Sequence, residues 1–364
     1  MRFGLYSELQ CHPWQTPRQV YEETLEQIAN ADRLGFDCYS IIEHWFFEQF
    51  GVSANPFAFF AAASQRTKDI RFRTLLHILP AHTPGVLACQ IAEMDLLTNG
   101  RYEFGVGRGH AWLWPKAGLP LDDTRPRYEE AFDILLGLLE NQDGFSYEGR
   151  FWNVKDARVV PRSQTKRFRI FTGGTSDRTY ELAGEHGWGI VVPPLLPLAV
   201  LQPQLDIYRE SCAKHGTTPD IVFIHAVYMD DDVKTIRREA EGWMLNFLAG
   251  NASPGPELPP KEELEASGYG FYASGALEGL AQMGWDEITG QDVVWIGTPQ
   301  QVVEKIEALQ EACPGLAEVA ITVNAGGAEH WKAIKTQELF ARHVIPHFRE
   351  SAREREQVTA AATA

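Results

Sequence analysis

Along the chain, short apolar runs alternate with longer stretches whose apolar positions recur at helical spacing, and the alternation repeats from one end to the other. The runs predict eight strands, over 2–6, 38–42, 70–76, 102–107, 169–172, 189–192, 221–229 and 318–323. Helix start signals follow several of them: Thr16 before Pro17, Asn55 before Pro56 and Thr83 before Pro84. A helix over 125–140 follows the fourth strand, and 145–153 reads as a small β excursion. Repeated βα units predict a closed (β/α)8 TIM barrel over 1–350, because a doubly wound sheet more often divides into two halves.

The segment 250–291 interrupts the repeat between the seventh and eighth βα units and includes Pro254-Gly255-Pro256 and Pro259-Pro260. An insertion of this length is a functional lid or a disordered segment, and its place after the seventh strand puts it on the face where barrel active sites sit. The tail 351–364 is expected to be flexible.

Two helices depart from one-faced amphipathicity. The stretch 55–67 is apolar around most of its circumference, and 83–98 carries Val86, Leu87, Ile91, Met94 and Leu97 with few charges. Together they predict a homodimer interface; cover by another loop of the same chain is the alternative.

Composition narrows the function classes. The 364 residues carry a formal net charge of −16, which repels nucleic acid and anionic membranes and restricts any phosphate to a local pocket. Five cysteines with no CxxC pair argue against a disulfide framework or a thiolate metal site and fit a reducing cytoplasm. The stretch 190–201 is apolar but short and holds three prolines, so no membrane span is expected. Neither an HExxH metal motif nor a GxSxG elbow is present.

On a barrel, chemistry gathers where strands end. The second strand runs into Glu43-His44-Trp45-Phe46-Phe47, which places a histidine able to exchange protons near neutral pH among aromatics that exclude water. A satisfied structural histidine explains His44 equally well, and core packing explains His77 and His225. The fourth strand ends in Gly105-Val106-Gly107-Arg108-Gly109-His110, whose spacing is not that of a dinucleotide fingerprint but whose arginine is a forked phosphate donor. The fifth ends in Thr172-Gly173-Gly174-Thr175-Ser176, either an anion cradle at a helix N-terminus or a glycine turn with a serine cap.

In order and spacing, Glu43-His44-Trp45-Phe46, Asn55-Pro56, Leu79-Pro80, Asp95 to Arg101, Gly105 to Gly109 and Gly297-Thr298-Pro299 resemble bacterial luciferase and its flavin monooxygenase relatives, from residue 1 to about 350. The resemblance implies a barrel that takes reduced FMN (FMNH2) from a separate flavin reductase and reacts it with O2 to a C4a-hydroperoxyflavin. That species then oxygenates a small apolar substrate such as an aldehyde, ketone or terpenoid. Residue by residue, it makes His44 catalytic, gives the FMN phosphate to Arg108 and to the turn Gly173, Gly174, Thr175 and Ser176, and counts Gly107 among the cofactor-binding residues. It sets the isoalloxazine against Leu75 and Leu76, a dipeptide often joined by a cis bond; the aromatic residues Trp45, Phe46, Trp112 and Trp114, with His110, are expected to line the substrate pocket.

The chain also departs from luciferase. Gly107 stands where the luciferase catalytic subunit has a reactive cysteine, Gly173-Gly174 replaces Glu-Ser, and 111–115 is unlike luciferase, which argues against light emission. Alternatives within the superfamily are an F420-dependent dehydrogenase and a noncatalytic flavin-binding partner subunit. A non-flavin barrel lyase would need paired carboxylates or a Schiff-base lysine at strand ends, and none of the eight predicted strands holds a lysine.

Overall fold

The structure, a computed structural model, describes residues 1–174 and 176–351. Its strands are β1 Arg2–Ser7, β2 Cys38–Ile41, β3 Arg71–Ile78, β4 Tyr102–Gly107, β5 Phe145–Glu148, β6 Asn153–Ala157, β7 Ile170–Thr172, β8 Gly189–Val192, β9 Ile221–Met229, β10 Val294–Gly297 and β11 Leu316–Thr322. Eight of them, in the order β1-β2-β3-β4-β7-β8-β9-β11, form one parallel ring. The ring closes where Leu5 of β1 stands opposite Ile321 of β11 and Ile190 of β8 opposite Ile221 of β9. This is the TIM barrel that the alternating pattern predicts, with β5 and β6 as a separate antiparallel hairpin.

One strand was not expected. β10 pairs with the outer part of β9, Val294 opposite Ala226 and Gly297 opposite Met229, beginning where the pairing of β9 with β11 ends at Ala226–Thr322. β9 is buried along its whole length, so its last residues need a second edge partner. What defines this run is its pairing with the end of β9, a contact that leaves no period in the sequence.

The helices start as their caps direct. Thr16 accepts from the Gln19 amide before the helix Pro17–Leu34, and Asn55 accepts from the Ala58 amide before Pro56–Ser64, which stops short of the expected Thr67. The helix Val233–Ala252 runs into the segment 250–291, which is otherwise a chain of short helices, Lys261–Ala266, Gly270–Ala273, Ala276–Gln282 and Trp285–Gly290.

The N-terminal end of the barrel is plugged by charge. Arg73, fully buried, donates to both carboxylate oxygens of Glu318 at 2.9 and 2.7 Å and to Glu103 at 3.0 Å, while Arg2 pairs with the same two acids. Gly4 makes room for this layer, since a Cβ there would lie 2.7 Å from Glu318 Oε1. Phe171 packs on the Arg73 guanidinium at 4.4 Å. Buried on this side by ion pairs and an aromatic ring, the interior is left open toward the strand C-termini.

Candidate active site

A cavity of about 260 Å³ occupies that open end. Its walls come from the residues that follow most of the barrel strands and from the short helices of the insertion.

One end is cationic. Arg108 and Arg125 both line the cavity, as do Gly173, Gly174, Ser176 and Thr179. Arg108 donates to main-chain carbonyls of the insertion, Ser267 O at 2.9 Å and Gly268 O at 2.7 Å, and its guanidinium lies 4.0 Å from the centre of the Tyr269 ring. Burial, and then the neighbouring Arg125, lower the Arg108 pKa, the opposite of what a carboxylate partner would do. Ser176 caps the helix Asp177–His186, and its hydroxyl shares a 2.9 Å hydrogen bond with that of Thr179. Two arginines, hydroxyls and a helix N-terminus on one cavity are the donor types a phosphate dianion needs. Thr175 lies outside the described residues, as does the tail from 352 onward.

The middle of the cavity is apolar. The Leu75–Leu76 peptide bond is cis, and the Leu76 side chain lies against β4. A Cβ on Gly105 would meet Leu76 at 2.4 Å and one on Gly107 at 2.7 Å, so these glycines make space for the leucine. Gly109 takes a positive φ of 76°, turning the chain toward His110.

An aromatic wall closes one side. His110 stacks on Trp112 with ring centres 4.4 Å apart and an interplanar angle of 5°, and its Nδ1 lies 2.8 Å from the Tyr272 hydroxyl. Burial pushes the His110 pKa down to about 4. Behind Trp112 lies His44, whose Nε2 accepts the indole N–H at 3.1 Å and whose ring stacks on Phe50 at 4.1 Å. Burial, with His110 second, holds His44 well below the usual histidine range.

Glu43, beside His44, belongs to a different network. It accepts from the Ile78 amide at 2.9 Å and faces His82 Nε2 at 2.9 Å and His77 Nδ1 at 3.3 Å, while His77 Nε2 reaches the Tyr102 hydroxyl at 2.8 Å. Burial alone would raise this carboxyl, but the bonds from His77 and His82 hold it down to about 2. The three side chains satisfy one another and brace the ends of β2 and β3.

The structure thus brings Leu75, Leu76, Gly107, Arg108, His110, Trp112, Gly173, Gly174 and Ser176 onto one cavity. It places His44 one layer behind, Trp114 beneath Tyr269 with its indole N–H on the Tyr269 hydroxyl at 2.8 Å, Trp45 with its N–H on Ala54 O at 3.1 Å, and Phe46 in solvent at 56% exposure. Sequence reading missed Glu8, Arg125, Tyr128, Asn251 and Tyr272, all of which line the cavity. Glu8 directly follows β1 and was within reach of the same strand-end rule.

Fold and site together define a TIM-barrel enzyme with a largely apolar chamber that has two arginines in its lining. The family profile of the luciferase-like monooxygenases matches residues 1–314, and the chain belongs to that family. It is 28% identical to the limonene 1,2-monooxygenase of Rhodococcus erythropolis over 90% of this chain and 81% of that one. It is 27% identical to the FMNH2-dependent dimethylsulfone monooxygenase of Pseudomonas putida over 94% and 91%. Among solved structures, a monooxygenase from Streptomyces bottropensis superposes with a TM-score of 0.79 at 25% identity, covering 96% of this chain and 100% of that one. The chain is accordingly an oxidoreductase of the monooxygenase class.

Proposed function

We propose that the chamber binds reduced FMN and that the enzyme uses it with O2 to oxygenate a small apolar substrate such as an aldehyde, ketone or terpenoid. The observation that carries this reading is the junction, in one cavity, of the Arg108–Arg125 cradle with the apolar floor of Leu75, Leu76 and Val191. Arg108, Arg125, Gly174 and Ser176 would hold the phosphate, and the leucines would carry the ring system. The bound cofactor supplies the electrons that activate O2. The chain's own part is to exclude water, which Trp112, Phe50 and Tyr272 do from one side and the insertion, acting as a lid, from the other. His44 braces that wall through Trp112.

The cofactor reaches the chamber already reduced, from a separate flavin reductase, in keeping with the FMNH2 dependence named for one relative and with the lack of a dinucleotide fingerprint here. Two copies pair through the helices Pro56–Ser64 and Pro84–Leu97, which leave Val86, Leu96 and Leu97 exposed at 55%, 43% and 48%. No helix among the described residues is long and apolar enough to cross a membrane, and the reducing chemistry fits a cytoplasmic enzyme.

Anaerobic titration with FMNH2, riboflavin and reduced F420 tests the cofactor assignment. Tight binding of FMNH2, weaker binding of riboflavin and none of F420 are expected. Preference for F420 would make the enzyme a hydride-transfer dehydrogenase instead.

A further inference from the structure

The chamber has a second polar feature, far from the arginines. In the eight-strand ring β1 stands opposite β7, so the residue after β1 faces the cradle from across the barrel mouth. That residue is Glu8, buried and lining the cavity. The chain turns sharply behind it, with Leu9 at a φ of 52° and its amide bonded to Ser7 Oγ at 3.0 Å.

The Glu8 carboxyl is held by two amides and no cation. Gln10 Nε2 donates to Oε2 at 3.1 Å and Asn251 Nδ2 donates to the same oxygen at 3.0 Å. Neither amide is free to turn around. Gln10 Oε1 accepts the Gly326 amide at 2.8 Å, and Asn251 Nδ2 also donates to Phe247 O at 3.1 Å. Glycines clear the space for this arrangement. A Cβ on Gly250 would lie 2.7 Å from Gln10 Nε2, and one on Gly51 would lie 2.4 Å from Glu8 O. Two N–H donors on Oε2 use both lone pairs of a carbonyl-type oxygen, so the acid proton belongs on Oε1, which has no partner among the described residues.

We propose that Glu8 recognises the substrate as a carboxylic acid, donating from Oε1 to a carbonyl oxygen, so that the chamber selects small apolar carbonyl compounds over hydrocarbons of the same shape. This rests on the reading of the cavity as the flavin and substrate chamber. Burial supports the neutral form by pushing the carboxyl up to about 8 against the opposing bonds from Asn251 and Gln10. The titratable groups around it do not ionise it. Tyr6 on β1 is held neutral by burial, His12 beyond Gln10 is lowered by burial, and Glu43 is occupied with His77 and His82. The helix Val233–Ala252 contributes only the Asn251 amide, and the loop after β11 only the Gly326 main chain. A site built around a hydrogen bond discriminates strongly against a ligand that lacks the partner atom, because a buried polar group is then left unpaired.

Carvone and limonene, a ketone and its parent hydrocarbon, are the probes, with carvylamine as a cationic control. Their affinities are measured by calorimetry on the full chain under anaerobic conditions, with and without FMNH2, from pH 6 to 9.5. Wild type is expected to favour carvone by about tenfold at pH 6.5. The ratio falls as pH rises through about 8, where Glu8 ionises. In Glu8→Leu the ratio collapses to about one, whereas Glu8→Gln keeps a donor, retains most of the preference and loses its pH dependence. Equal wild-type affinities, a preference that survives Glu8→Leu, a pH-independent wild-type ratio or tighter binding of carvylamine overturns the proposal. Should the leucine variant not fold, the contrast between the wild-type and Glu8→Gln pH profiles decides. Loss of FMNH2 binding with the ketone preference intact overturns the cofactor reading alone, and FMNH2 binding without that preference overturns this proposal alone.

Discussion

Trp112 donates its indole N–H to Nε2 of His44 across 3.1 Å, and this bond sets what His44 can do. With Nε2 accepting, a neutral imidazole carries its proton on Nδ1, which is buried without a partner. The ring that the sequence offers as catalytic thereby also holds the wall that His110 and Trp112 present to the cavity. Replacing His44 by alanine leaves the indole N–H unpaired and opens space behind Phe50. His44→Ala is expected to retain FMN binding, lose about 1–3 kcal/mol of stability and divert turnover toward hydrogen peroxide. Peroxide yield per FMNH2 consumed checks this; an unchanged yield removes His44 from the mechanism.

Arg108 is expected to distinguish FMN from riboflavin. Arg108→Ala should weaken FMN by about 1–3 kcal/mol and leave riboflavin, which lacks the phosphate, nearly unchanged. The same change frees the Ser267 and Gly268 carbonyls, so amide exchange across Lys261–Gln282 should accelerate. Equal losses for both flavins would place the arginine elsewhere in binding.

Stability should peak near pH 6.5. Burial pushes His110 and His225 from 6.5 down to about 4, so the unfolded chain binds their protons first and stability falls as pH drops through this window. Glu8 works in the opposite sense. Its carboxyl rises from 4.5 to about 8, so the folded state keeps a proton that the unfolded state releases, and that contribution is lost as pH climbs toward 8. Each group contributes a slope of up to about 1.4 kcal/mol per pH unit. Urea unfolding at pH 5, 6.5 and 8 checks the shape, and Glu8→Gln should flatten the limb between 6.5 and 8.

The charged plug is expected to govern stability and not cofactor binding. Arg73→Met takes the fully buried cation from Glu318 and Glu103, leaving them to the partly exposed Arg2, Arg71 and Arg169, and should cost about 3–5 kcal/mol. FMN affinity of the folded fraction should match wild type, since Arg73 lies below Phe171 and away from the cavity. A loss of affinity at unchanged stability would contradict that division.

The ring strands were legible because each is a buried apolar run set apart by a capped helix, as at Thr16–Pro17 and Asn55–Pro56. β10 was not, since what defines Val294–Gly297 as a strand is its pairing with the far end of β9, a contact that leaves no period in the sequence. The cradle at Arg108 was readable from strand ends, whereas Arg125 sits in the first turn of the helix Thr124–Glu140 and reaches the cavity only through the fold. The positions of His44 and Trp114 behind the lining depend on side-chain packing that strand order does not specify.

The most direct measurement is to form the anaerobic FMNH2 complex, mix it rapidly with O2 and follow the near-ultraviolet spectrum. A long-lived absorbing species, distinct from both reduced and oxidised flavin and shortened in His44→Ala, is predicted for a chamber that holds flavin and oxygen away from water. Oxidation as fast as that of free FMNH2, with no such species, would contradict a monooxygenase site in this cavity.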